Sequence, residues 1–123
     1  MASLFAHLTY GNIYVTYGGM QIFFYIEDAG RSPFAEWFDG LPQEAAAQVA
    51  VAVKRMEQGN LSNVKSVGEG VLEYRISFGP GYRIYFGYDG KTIVILLAGG
   101  TKQRQQRDIE AAKKRWADYK KRK

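Results

Sequence analysis

The sequence predicts an α+β fold: one strand, two helices, a three-strand antiparallel meander and a basic C-terminal helix. Three observations lead there. Leu72–Lys102 holds two nameable turns between runs rich in β-branched and aromatic residues. Ahead of it, a Ser-Pro start and an alanine-rich periodic stretch mark two helices. Behind it, Ile109, Ala112, Trp116 and Tyr119 fall at spacings of 3, 4 and 3, one helical stripe among basic residues.

In chain order, residues 1–19 form an N-terminal extension, with Ile13–Tyr17 as a candidate strand and His7 as a surface residue. The domain itself spans 20–123. Met20–Glu27 is its first strand, with Ile22, Phe24 and Ile26 facing the core. Ser32-Pro33 starts a short helix as N-cap and N1, Glu36 adds a capping-box acid, and Phe34, Trp37 and Phe38 form the buried face. Gln43–Gln58 is the second helix, with Val49, Val53 and Met56 on its apolar stripe and Gly59-Asn60 as C-cap. The two form an αα-hairpin over one sheet face. Leu61–Gly70 reads as a polar loop.

In the meander, Gly79-Pro80-Gly81 and Asp89-Gly90 are the turns. Strand parity puts Leu72, Tyr74, Ile76 and Phe78 on one side, and Glu73, Arg75 and Ser77 on the other. A turn centred on Pro80 sets Arg75 opposite Tyr85 and Ser77 opposite Arg83. A two-residue second turn sets Val94 by Tyr85 and Leu96 by Arg83, with Ala98, Gly100 and Lys102 continuing that face. Arg75, Arg83, Tyr85 and Lys102 then converge on one side, and Ile76, Ile84, Phe86 and Ile95 pack on the other. A bulge would shift this register by one.

Composition narrows the chemistry. With 123 residues the chain is one domain with a real core. It has no cysteine, which excludes disulfides and thiolate metal sites, and His7 is its single histidine, which excludes histidine clusters. No carboxylate cluster of the kind that holds Mg²⁺ is visible, so no metal or other cofactor is expected. No spanning helix or signal peptide is expected either, and the expected location is cytoplasmic. Residues 1–101 carry 7 basic and 9 acidic side chains, and residues 102–123 carry 10 and 3. The net charge of +5 therefore comes wholly from the last 22 residues. Such a block suits a phosphate backbone or an acidic partner, and equally a solvated helix face.

Arginine forks at 75 and 83 suit a phosphodiester but cannot transfer protons. Tyr85 and Lys102 can transfer one if a cationic neighbourhood lowers their pKa values. Glu73 is a third acid–base candidate or a salt-bridge partner for Arg75. Strand cleavage without a metal uses the RNA 2′-OH as nucleophile, which selects RNA over DNA. The same face also suits a plain binding surface.

Glu73-Tyr74-Arg75, Gly79-Pro80-Gly81-Tyr82-Arg83-Ile84-Tyr85-Phe86 and Leu96-Leu97-Ala98-Gly99-Gly100-Thr101-Lys102, followed by Gln106 and Asp108–Ala112, resemble the RelE/ParE superfamily of toxins. The likeness is to its HigB-like branch in type II toxin–antitoxin systems and covers roughly residues 20–119. The resemblance implies a ribosome-dependent mRNA endoribonuclease that stops translation. It also implies neutralisation by a cognate helix-turn-helix, HigA-like antitoxin, with operator DNA met only through that complex. On this likeness Arg83, Arg75 and Lys102 match basic residues that activate the mRNA phosphate, with Tyr85 joining them by position. Arg104, Arg107, Lys113 and Lys114 become the RNA-binding residues of the C-terminal segment. Two departures stand out: Ile109 lies where such toxins often carry a proton-transferring Tyr or His, and Thr101 stands where this branch more often has Asp. The alternative is a ParE-like DNA gyrase inhibitor with no nuclease activity.

Overall fold

A computed structural model describes residues 19–123. The candidate strand at 13–17 and His7 lie outside the described residues. The elements run β1 (Gln21–Phe24), α1 (Pro33–Asp39), α2 (Gln43–Glu57), β2 (Val64–Gly68), β3 (Val71–Ile76), β4 (Tyr82–Asp89), β5 (Ile93–Thr101) and, after a 3₁₀ turn at Lys102–Arg104, α3 (Gln105–Arg122). They build one five-stranded sheet in the order β1-β5-β4-β3-β2, with β1 parallel to β5 and the other pairs antiparallel. The fold is α+β and RelE-like, as the sequence predicts.

The helical hairpin covers one face. Ser32 Oγ accepts from Ala35 N at 3.2 Å, and Pro33 opens α1. Glu36 lies one position past the capping-box place and pairs instead with Arg31 at 2.6 Å. α2 ends in a Schellman motif, with Asn60 N donating to Arg55 O at 2.9 Å around Gly59 at φ 83°. Phe34, Val49, Val53 and Met56 are fully buried against Ile22, Ile84, Phe86, Val94 and Leu96. Each large apolar side chain there contributes about 1.5–3 kcal/mol.

α3 covers the opposite face. Trp116 and Ala112 pack on Val71, Tyr85, Ile95 and Leu97, with Ile109 and Tyr119 at the margin. The stripe read from the sequence thus docks on the domain's own sheet. Polar ties hold it there: Tyr25 Oη donates to Asp118 and Tyr119 Oη to Asp89, both at 2.6 Å, and Arg115 donates to Leu97 O at 3.1 Å. Gly87 makes room for the indole, since a Cβ there would stand 2.7 Å from the Trp116 ring.

Four expectations need correction. Val64–Gly68 is an edge strand and not loop, turned into β3 through Glu69 at φ 55° and Gly70 at φ 85°. β1 is shorter than expected: the chain turns at Glu27–Gly30, and Ile26 is exposed. The β3–β4 register is moved by two, so Arg75 faces Arg83 and Glu73 faces Tyr85. The even shift leaves parity intact. The β4–β5 turn is longer than two residues, closing at Asp89–Ile93, and the register then shifts between Tyr85 and Phe86, which leaves Leu97 unpaired. Val94 and Leu96 therefore join the α1–α2 core while Ile95 faces α3, the reverse of expectation. Beyond this bulge Ala98 and Gly100 return to the side of Tyr85 and Arg83.

Candidate functional site: a cationic groove over a buried carboxylate

Arg75 and Arg83 are direct cross-strand partners, so their side chains leave the same face of the sheet. The tight turn at Phe78–Gly81, closed by Gly81 N to Phe78 O at 2.9 Å, sets this register. The same turn captures the end of β5, because Lys102 N donates to Gly81 O at 3.0 Å. Three basic residues from three elements are thereby fixed around one loop. Lys65, directly opposite Glu73 on β2, adds a fourth. Arg75, Arg83, Lys65 and Lys102, with Ser62 and Asn63, line an open groove of about 460 Å³.

Glu73 is the anchor beneath it. Its carboxylate is fully buried, accepts from Gln105 Nε2 at 2.6 Å, and stands 3.5 Å from Arg83 Nε and 3.7 Å from Arg75 Nε. Both guanidinium groups therefore lean on one carboxylate, which holds them close together. Their depths differ. The Arg75 side chain is 54% exposed and that of Arg83 only 6%. Arg83 lines the groove floor, where its Nη1 also donates to Gly81 O at 3.4 Å. Gly81 sits at φ 85°, a conformation suited to glycine.

Tyr85 departs from expectation. It is fully buried and does not line the groove. Burial first, and then the negative charges of Glu73 and Asp108, push its phenol well above the ordinary range, and Arg83 offsets this only in part. The cationic neighbourhood expected to lower it is outweighed. Tyr85 thus lies as a floor residue behind Glu73.

Asp108 lies beside it, packed so tightly on Gly100 that a Cβ there would overlap the carboxylate. Burial pushes the Asp108 carboxyl up, against the pull of Arg104, Arg107 and Arg115. Glu73 Oε1, Arg83 Nε, Tyr85 Oη and Asp108 Oδ2 are buried without hydrogen-bond partners among the described residues. Under the start of α3 lies a buried polar cluster, not an apolar seal.

The remaining predicted residues separate. Arg104, Arg107 and Lys114 are exposed on α3. Lys113 turns to the β2–β3 turn and pairs with Glu69 at 3.4 Å. Lys65, Gln105 and Asp108 were not singled out from the sequence. Val64-Lys65-Ser66-Val67 does not alternate, so no periodicity marks the first. Among the described residues no group of three or more His, Cys, Asp or Glu is placed to hold a metal ion, and no helix is long and apolar enough to cross a membrane.

Residues 36–117 match the family described as Phage derived protein Gp49-like (DUF891). The chain belongs to this Gp49-like family. The family is associated with toxin–antitoxin systems and is RelE/HigB-like. An uncharacterized protein of Haemophilus influenzae is similar, at 41% identity over 81 residues that make up 65% of this chain and 82% of that protein. The Gp49-like match takes in α2, the whole meander, Lys65, Glu73, Arg75, Arg83, Lys102 and most of α3.

Proposed function

We propose that this Gp49-like protein is the toxin of a type II toxin–antitoxin system, and that it cuts ribosome-bound mRNA until a cognate antitoxin neutralises it. One observation carries the reading: four cations from four positions line one groove, two of them braced on a single buried carboxylate. Preoriented donors of this kind, with Arg83 among them desolvated, stabilise charge that develops on a phosphate. A gyrase inhibitor has no use for such a clamp.

In the proposed reaction the RNA 2′-oxygen attacks the adjacent phosphorus as its proton passes to solvent water. The bond to the 5′-oxygen then breaks, and that oxygen takes up a proton. The products are a 2′,3′-cyclic phosphate and a 5′-hydroxyl. Arg75 and Arg83 neutralise the non-bridging oxygens, Lys65 guides the strand, and Lys102, at the groove's other wall, donates the proton to the leaving oxygen. Tyr85, sealed below, acts through Glu73 by filling the floor, and is a positioning residue here. The nucleophile belongs to the RNA and the clamp is cationic, so the route requires no metal.

Brief induction in cells followed by mapping of mRNA 5′ ends tests the reading. New ends confined to translated frames support it. Intact messages with DNA-damage signalling overturn it and favour gyrase as the target.

A further inference from the structure

The groove does not end at Arg75. On the far side of that residue a slot of about 180 Å³ opens between α2 and the end of β3. Asn63, Arg75, Ile76 and Ser77 line both spaces, so groove and slot are continuous. The sequence sets this opening in two ways. Gln48, Ala52 and Arg55 fall at i, i+4 and i+7, one stripe of α2, and the small Ala52 keeps the stripe low at its centre. β2 starts only at Val64, opposite Tyr74, and Arg75 N donates to Asn63 O at 3.3 Å. Beyond Arg75 the end of β3 has no β2 partner on this edge.

Floor and rim differ in character. Ala52, Tyr74 and Ile76 are buried and give an apolar floor. Gln48, Arg55, Asn63 and Ser77 are exposed at the rim, and their side chains make no hydrogen bond or ion pair among the described residues. An apolar floor for a ring face, with free polar groups around the ring's edge, is what a splayed-out nucleobase requires. The volume suits one flat ring system and is below that of drug-sized sites. We infer that the slot reads one base of the bound strand, next to the phosphate held at Arg75, and that this base is guanine. The inventory of donors and acceptors decides between the bases. Arg55 offers donors only, in a fork that matches O6 and N7 of guanine. The carboxamide oxygens of Gln48 and Asn63 supply acceptors for its N1–H and 2-amino group. Adenine sets its 6-amino group against Arg55, which has no acceptor, and the pyrimidines have no N7 to complete the fork. This inference rests on the groove holding an RNA phosphate and deepens that reading, because it assigns base selection to α2 on the other side of β3.

The test uses the full chain and dye-labelled RNA hexamers of 2′-O-methyl ribose, all adenine except for one central base. That base is guanine, adenine or 7-deazaguanine, and fluorescence anisotropy reads the affinity. Wild type should bind the guanine hexamer about tenfold or more tightly than the adenine one. The 7-deazaguanine hexamer, which lacks the N7 acceptor, should lose most of that advantage. Arg55→Ala, with an unchanged thermal melt, should bind guanine and adenine hexamers equally. Arg55→Lys, which keeps the charge but not the fork, should show the same loss. The groove variant Lys65→Ala/Lys102→Ala should weaken every hexamer to the same degree and leave the guanine preference in place. A guanine preference with no weakening in that variant upholds the slot and overturns the phosphate groove, which separates the two failures. Equal affinity of the wild type for the three hexamers, including none measurable, overturns the inference. So does a guanine preference that survives in Arg55→Ala.

Discussion

Arg83→Ala is the substitution whose outcome follows most directly from the burial of Glu73. On strand parity alone Arg83 faces away from the apolar core, and its removal would leave the fold untouched. The structure says otherwise. Glu73 is fully buried, and without Arg83 it keeps only the 2.6 Å bond from Gln105 and the 3.7 Å approach of the half-exposed Arg75. Removing one partner of a buried charge pair costs about 3–5 kcal/mol, and the surviving Gln105 bond places this case near 3 kcal/mol. For a domain of this size that lowers Tm by about 10 °C. Arg75→Ala, removing a solvent-screened partner, should cost under about 1 kcal/mol. Adding Glu73→Gln to Arg83→Ala removes the stranded charge, so the double variant should recover at least about 1 kcal/mol relative to Arg83→Ala. Thermal and urea melts of the wild type, the three variants and Glu73→Gln alone make the cycle. A Tm for Arg83→Ala within 2 °C (roughly 0.5 kcal/mol) of wild type, or no rescue by Glu73→Gln, would refute the reasoning.

Further outcomes follow from the same geometry. Arg75→Ala and Lys102→Ala should each slow mRNA cleavage by about 10²-fold with little change in melting, because each removes a donor from the groove but no core contact; single-turnover cleavage on programmed ribosomes reads this. Gly87→Ala, which forces a methyl into the Trp116 ring, should cost about 1–3 kcal/mol and change tryptophan emission. Asp108→Asn bears on pH. The folded state holds the Asp108 carboxyl above its ordinary value of 3.8 by burial, so its ionised form is penalised at neutral pH and the penalty fades as pH falls through the folded pKa toward 3.8. The variant should therefore match or exceed wild-type stability at pH 7, with the difference shrinking in melts run toward pH 4.

Much of this architecture was legible because turns and periodicity are local. Gly79-Pro80-Gly81 announced the hairpin, and an even register shift preserved which side Arg75, Arg83 and Tyr85 share. Ile109, Ala112, Trp116 and Tyr119 announced the face of α3 that docks. Three things were not legible. In the unbroken apolar run Ile93–Ala98 both strand faces are buried, so nothing in composition marks the extra residue at Leu97. β2 is a short edge strand with an exposed Lys-Ser centre, and polar edges look like loops. Parity also gives the side of a residue but not its depth: the start of α3 closes over Arg83, Glu73 and Tyr85, and only tertiary packing shows that the cationic face is partly an interior.

The most direct measurement places a single 2′-deoxynucleotide immediately 5′ of the scissile phosphate in an mRNA bound on purified ribosomes. Loss of cleavage at that linkage, with the all-ribose message yielding a 2′,3′-cyclic phosphate end, is the result expected when the groove only clamps and neutralises while the RNA attacks itself. Undiminished cutting of the deoxy-substituted message would mean that the nucleophile comes from elsewhere, and the roles given to Arg75, Arg83 and Lys102 would fall with it.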